Sequence, residues 1–180
     1  MSDTPAPGGS TFSNAAALIA VLISVSALGV SIFEASTQRA NQRAAVWPYV
    51  EIYANYSSDG YLLALENKGV GPARLRWARM LVDGEVISDL DAMVLAELGE
   101  DEAFSYDLYG ATDPSGRVFS PRETGTLFTV PWEERTRRLI NQLYGRIDIQ
   151  ACYCSIYDEC WTVTFQTEPE PVRACPAPPQ

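Results

Sequence analysis

The sequence predicts a mainly β protein, with an N-terminal transmembrane α-helix followed by a compact β-sandwich or barrel-like domain carrying one or two short helices. Three observations predict it. Ala15–Phe33 is a run of nineteen residues without charge or proline. From Tyr49 onward the apolar period drops from about 3.6 residues to about 2. Turn-forming residues recur between short alternating segments, as in a sandwich or barrel and unlike a doubly wound α/β fold.

Met1–Asn14 is Pro, Gly and Ser punctuation without periodicity, so residues 1–14 read as a disordered tail. As a helix, Ala15–Phe33 is ~28 Å long, close to the ~30 Å hydrocarbon core of a bilayer. Glu34, Arg39 and Arg43 end the run on one side, Ser13 and Asn14 on the other. A helix of a globular core is amphipathic, and this one is apolar all round. A cleaved signal peptide would want a basic start and a small-x-small cleavage site. The first fourteen residues hold no Lys or Arg, and Phe33 occupies the position where a small residue is needed before Ala35. Residues 15–35 are therefore expected to be a permanent anchor and the polar, Ala-rich 36–46 its helical extension. Ala16, Ala20, Ser24, Ala27, Ser31 and Ala35 fall within an arc of about 100°. Such a stripe lets a second helix approach closely in lipid, so the anchor is expected to self-associate or to dock on a partner helix.

Residues 47–167 then form one mostly-β domain. Trp47-Pro48 breaks the helix. Tyr49–Tyr56 alternates, Ser57–Gly60 turns, and Tyr61–Glu66 returns as the second strand of a hairpin. Arg74–Val82 alternates less cleanly and leads into Asp83-Gly84, a strong hairpin turn, with Glu85–Ile87 returning. Asp89–Leu98 reads as a short helix capped by Ser88. Phe104–Tyr109 is a strand candidate, Thr112–Gly116 a loop and Gly125–Val130 a strand. Trp132–Tyr144 carries the best helix signals, with Glu133 and Glu134 in the first turn, Arg137 and Arg138 later and Gly145 after the end. Ile147–Ser155 and Cys160–Gln166 form a last hairpin, and residues 168–180 are a Pro-rich tail.

The net charge of −10 belongs to the domain, because 21 acidic and 11 basic residues lie from Ala44 onward, all but Asp3, Glu34, Arg39 and Arg43. That surface repels nucleic acid and anionic headgroups, so no nucleic-acid partner is expected. The expected partners are the lipid bilayer and a second copy or another transmembrane helix, with no protein partner identified. Two signals on sidedness conflict. Arg39 and Arg43 after the anchor place the domain in the cytoplasm by the positive-inside rule. Four cysteines within the last 29 residues, at Cys152, Cys154, Cys160 and Cys175, are a disulfide signature of an oxidising compartment. The balance leans to an extracytoplasmic domain.

Cys152 and Cys154 share one face of a strand. A three- or five-residue loop centred on Tyr157 sets Cys154 opposite Cys160, where a disulfide is feasible. A two-residue turn at Asp158-Glu159 pairs Cys154 with Val163 instead and forbids the bond. Cys175 can reach back to Cys152 and pin the tail. The C-x-C-x₅-C-x₁₄-C spacing fits a zinc site poorly, and a redox C-x-x-C is absent.

Asn67-Lys68-Gly69-Val70-Gly71-Pro72-Ala73 reads as a strand-connecting loop, with Gly69 and Gly71 expected to permit positive φ and Pro72 to fix the next step. A phosphate-cradling loop would need a helix N-terminus after it, and a strand follows. The anchor, Arg-Ala-Asn-Gln-Arg, Trp47-Pro48, this N-x-G-x-G-P-A turn and the Cys152-Tyr153-Cys154-Ser155…Cys160-Trp161 hairpin together resemble uncharacterised bacterial single-pass membrane-anchored proteins with a small β domain. The resemblance implies the fold class and single-pass anchoring in a bacterial inner membrane, and no function.

The chain has no histidine, which removes the commonest general base and metal ligand. The acidic stretch Asp89, Asp91, Glu97, Glu100, Asp101 and Glu102 lacks the alternating layout of a calcium loop. Arg135, Arg137 and Arg138 would make a basic patch on a solvated helix face. No catalytic, cofactor or metal residue is assigned. The expected function is a non-enzymatic, membrane-anchored interaction module within a larger assembly. Its alternatives are a ligand-sensing domain, marked by a sizeable apolar pocket lined by tyrosines, or a carboxylate- or thiol-based enzyme.

Overall fold

The structure, a computed structural model, describes residues 9–98 and 110–179. It divides into two units, Met1–Ala44 and Ala45–Gln180. Helix α1, Gly9–Ala45, dominates the first. It starts inside the stretch expected to be tail and is long and apolar enough from Ser13 onward to cross a membrane. Ser24 Oγ donates to Ala20 O at 2.8 Å and Ser31 Oγ to Ala27 O at 2.9 Å. These hydroxyls satisfy themselves on their own helix, as an apolar medium requires. Ala16, Ala20, Ser24, Ala27 and Ser31 lie exposed along it.

The second unit is mostly β. Its strands are β1 (Val50–Ser57), β2 (Gly60–Asn67), β3 (Ala73–Val82), β4 (Glu85–Val86), β5 (Gly110–Ala111), β6 (Val118–Phe119), β7 (Thr124–Val130), β8 (Ile147–Cys154), β9 (Cys160–Thr164) and β10 (Glu170–Val172). Among the described residues two helices join them, α2 (Leu90–Leu98) and α3 (Glu134–Leu143). One sheet runs β1-β2-β7-β5. The other runs β10-β9-β8-β3-β4, with β6 also beside β3.

Alternation decides which side chains are buried. In the first sheet Val50, Ile52, Ala54 and Tyr56 pair with Asn67, Leu65, Leu63 and Tyr61, so one inward row runs from Asn67 at one end to two tyrosines at the other. In the second sheet Ile149, Ala151, Tyr153 and Val163 point inward, and all four join the same core as Ile52, Leu63 and Leu65. Burying each large aliphatic or aromatic side chain contributes ~1.5–3 kcal/mol. The untidy pattern of Arg74–Val82 has a physical cause. The β3–β8 register slips between Leu75 and Trp77. Ala73 and Leu75 therefore face the core before the bulge, and Ala78, Met80 and Val82 after it. Trp77 turns to the outer face.

One expected cap changes. Asp89, not Ser88, caps α2, its Oδ1 accepting from Ala92 N at 3.1 Å. Glu133 caps α3 in a capping box with Thr136, whose Oγ1 accepts from Glu133 N at 3.0 Å. The stretch expected to be tail from residue 168 contains β10, which pairs Glu170–Val172 with Thr162–Cys160. The expected strand Phe104–Tyr109 and the acidic residues Glu100, Asp101 and Glu102 lie outside the described residues.

Candidate functional site

The tyrosine end of the inward row opens into a cleft of about 440 Å³, within the range of small-molecule sites. Three parts of the fold build it. The Ser58-Asp59 turn closes β1 on β2 and sets Tyr56 directly across from Tyr61, ring centroids 4.9 Å apart. Gly60 is needed in that turn because it has φ +149° and a Cβ there would stand 2.0 Å from Val130 O. Helix α3 ends with Tyr144 on the rim, and Gly145 at φ +77° reverses the chain into β8. Asp148, Phe165 and Gln166 complete the wall.

Tyr61 is buried, whereas Tyr56 is 50% and Tyr144 78% exposed. Trp132 presents its ring to Tyr56 edge-on at 5.8 Å. Burial, and then the neighbouring Tyr56, push the Tyr61 phenol up to about 12. Burial and then Tyr144 raise Tyr56. Both phenols are therefore neutral donors at neutral pH. Asp148 accepts from Ile149 N at 2.8 Å and from Gln150 Nε2 at 3.2 Å. No Lys or Arg stands among the described lining residues. The cleft thus offers π-faces and hydroxyls, with Asp148 in its wall.

A second cavity of about 450 Å³ lies against β3 and α2, with Met80, Ile87, Leu90, Leu127 and Ile149 in its wall. Arg79 Nη1 and Asp113 Oδ2 stand 3.7 Å apart at this cavity. Residues 99–109, between α2 and β5 in sequence, are outside the described ones.

No protein-family model, curated protein or solved structure matches this chain. The site therefore has to be read from its own chemistry.

The cysteines converge on the outer face of the second sheet. The hairpin loop is the five residues Ser155–Glu159, so Cys154 stands opposite Cys160. Buried Ser155 organises that loop, its Oγ accepting from Tyr157 N at 3.1 Å and Glu159 N at 3.3 Å. Cys154 and Cys160 are linked, and Cys152 is linked to Cys175. The tail crosses the face to reach that bond, and Trp77 Nε1 donates to Pro176 O at 2.9 Å.

Asn67, Gly69, Gly71 and Pro72 form a joint at the opposite end of the inward row. Asn67 Oδ1 accepts from Tyr49 N at 3.2 Å and Gly69 N at 3.1 Å. Its Nδ2 donates to Gly71 O at 2.8 Å, Phe119 O at 3.1 Å and Ser120 O at 3.3 Å. One side chain ties the incoming chain to the turn and to β6. The expectation that Gly69 and Gly71 supply positive φ is overturned, since neither has it. They are required by close approach: a Cβ on Gly71 would lie 1.8 Å from Val46 O, and one on Gly69 2.3 Å from Tyr49 N. The loop leads into β3 and offers no helix N-terminus to a phosphate.

The charged residues singled out in the sequence serve mainly the fold. Arg146 joins Asp83 Oδ2 at 2.6 Å and Glu97 Oε2 at 2.9 Å, tying the β3–β4 turn to α2. It holds the Asp83 carboxyl below its ordinary value. Arg137 pairs with Glu134 at 3.1 Å. Sequence reasoning did not assemble the cleft, because Tyr56, Tyr144 and Phe165 come from separate segments.

Proposed function

We propose that this protein is a single-pass, membrane-anchored binding module whose β domain takes a small organic cation in the tyrosine-walled cleft. The observation that carries this reading is the wall itself: Tyr56, Tyr61, Tyr144 and Phe165 around about 440 Å³, with Asp148 and no basic group in the described lining. Tyrosine faces attract a desolvated cation through the ring quadrupole, by ~0.5–2 kcal/mol per ring. The acidic domain adds long-range attraction. The two cysteine pairs support an oxidising compartment, and with it the reading of an extracytoplasmic domain on a bacterial inner membrane. The small-residue stripe of α1 supports association with a second helix. Crosslinking in membranes reads that association, and Ala20→Leu with Ala27→Leu should abolish it.

Choline and dimethylbutanol, its uncharged carbon isostere, test the cleft by calorimetric titration of the full chain in detergent. Choline should bind and the isostere should not. Tyr56→Ala and Tyr144→Ala should each weaken binding about 3- to 30-fold, a loss of ~0.7–2 kcal/mol. Equal binding of the two probes, or none of choline, refutes the reading.

A further inference from the structure

We propose that the four cysteines form one redox-gated metal site, two disulfides when oxidised and a tetrathiolate site for a soft divalent cation such as Zn²⁺ when reduced. The proposal stands apart from the cleft. Its first support is convergence. The sulfurs of Cys154, Cys160 and Cys175 all lie within 4.8 Å of one another. The unbonded pair Cys154 and Cys175 is 3.7 Å apart, and Cys152 is joined to Cys175. A tetrahedral zinc with Zn–S of about 2.3 Å sets its sulfurs about 3.8 Å apart. Two independent staples need only pairwise proximity. Here the crossing pair already has the tetrahedral separation.

The second support is how the positions are held. Cys152 and Cys154 lie on β8, and Cys160 is opposite Cys154 on β9, in an antiparallel ladder of five residue pairs. Cys175 arrives on a tail fixed by β10 on one side and by the Trp77–Pro176 hydrogen bond on the other. The poor ligand spacing in the sequence is overcome because β10 and the tail fold back across the sheet. Cys175 is the partly exposed member and gives reductant and metal their access.

The third support is charge. Four thiolates around Zn²⁺ carry a net charge of about −2, which the surroundings must offset. Arg74 is the cross-strand neighbour of Cys154, and its buried Nε–H has no hydrogen-bond partner. Arg76 follows two residues on. Both arginines also contact Asp158, Arg76 at 3.6 Å, so the carboxylate orients them while Arg74 keeps one donor uncommitted.

The redox step balances through two external dithiols. Each gives two electrons and two protons to one protein disulfide and itself becomes a disulfide. Zn²⁺ then displaces the four thiol protons to solvent. The metal replaces the covalent pin, so the tail stays on the sheet in both states.

The test uses the full chain in detergent, reduced with a phosphine that is then removed, and titrated with Co²⁺ and then Zn²⁺. We expect one Co²⁺ per chain with thiolate-to-cobalt charge-transfer absorption, displacement by Zn²⁺, and neither signal from the oxidised chain. Arg74→Gln should weaken the metal roughly 10-fold while leaving the circular dichroism of the oxidised chain unchanged. Cys175→Ser should lose the four-sulfur spectrum. A reduced chain that keeps its sheet signal and shows no charge-transfer band overturns the proposal, as does equal binding by the oxidised chain. If reduction alone unfolds the domain, the metal must restore the sheet signal, and failure to do so also overturns it.

Discussion

Asn67 makes the sharpest test of how the domain is joined to the chain that enters it. It is fully buried, and its amide spans Tyr49, Gly69, Gly71, Phe119 and Ser120. Nδ2 has two hydrogens, so the Phe119 and Ser120 carbonyls share one, and the side chain makes four effective hydrogen bonds. At ~1 kcal/mol each, Asn67→Ala should destabilise by about 3–4 kcal/mol, near the top of the range for a single substitution. Urea unfolding of the full chain in detergent, followed by the circular dichroism of the sheet, measures it. Asn67→Asp sharpens the argument. It keeps the shape but aims an oxygen at three carbonyl oxygens, so the folded state should hold that carboxyl neutral, with its pKa raised above the ordinary ~3.9. A raised folded pKa gives stability that is complete below the unfolded value and lost as pH rises towards the folded one. Asn67→Asp should therefore be most stable in acid and weaken above about pH 4. A loss under ~1 kcal/mol for Asn67→Ala, or no pH dependence for Asn67→Asp, would refute the reasoning.

Three further outcomes follow from the same structure. Gly71→Ala should destabilise by ~1–3 kcal/mol or more, because its Cβ would meet Val46 O at 1.8 Å, whereas Gly84→Ala meets nothing within 4 Å and suffers only the strain of φ +86°; paired thermal melts separate clash from strain. Peptide mapping without reduction should return Cys152 linked to Cys175 and Cys154 to Cys160, and removing the first pair should cost more, ~3 against ~2 kcal/mol, since it closes 23 residues and the second only 6. Alkaline titration should show Tyr61 ionising late. Its folded pKa of about 12 lies above the ordinary phenol value of 10.0, so its contribution to stability is complete below pH 10 and falls away as pH rises towards 12; tyrosinate absorbance that follows one ordinary phenol curve would contradict this.

The elements that local chemistry defines were legible, and the ones that distant contacts define were not. The Ser58-Asp59 and Asp83-Gly84 turns sit between alternating runs, and both hairpins form where those runs meet. The α3 signals were equally local, acidic residues at the start and glycine at the end. The bulge in β3 hid half of that strand's inward row, since the alternation changes phase within it. Strand β10 is three residues long and contains Pro171, so composition reads it as tail. Only the edge of β9 makes it a strand. The cleft was half legible: Tyr56 and Tyr61 flank one turn, but Tyr144 and Phe165 reach it through α3 and the end of β9. Asn67 was singled out for its turn, and its wider role depends on carbonyls from Phe119 and Ser120.

The tail connects these observations. Trp77 is turned outward by the β3 bulge, and an outward tryptophan on an open sheet face would expose a large apolar surface. The returning tail covers it and accepts its indole N–H at Pro176. Cys175 lies one residue before that acceptor, so the bond to Cys152 fixes the cover directly over Trp77 and its cross-strand neighbour Cys152. Bulge, tryptophan, proline and cysteine are thus parts of one closure. If the closure is set by the sulfurs, reduction without metal should loosen the tail first and make Trp77 fluorescence more solvent-exposed while the β1–β2 sheet stays intact. If the tail is held by β10 and the indole bond alone, reduction should leave Trp77 unchanged. Trp77→Phe removes the hydrogen bond and keeps the ring, and so separates the two contributions by the rate at which Cys175 becomes alkylated in the reduced chain.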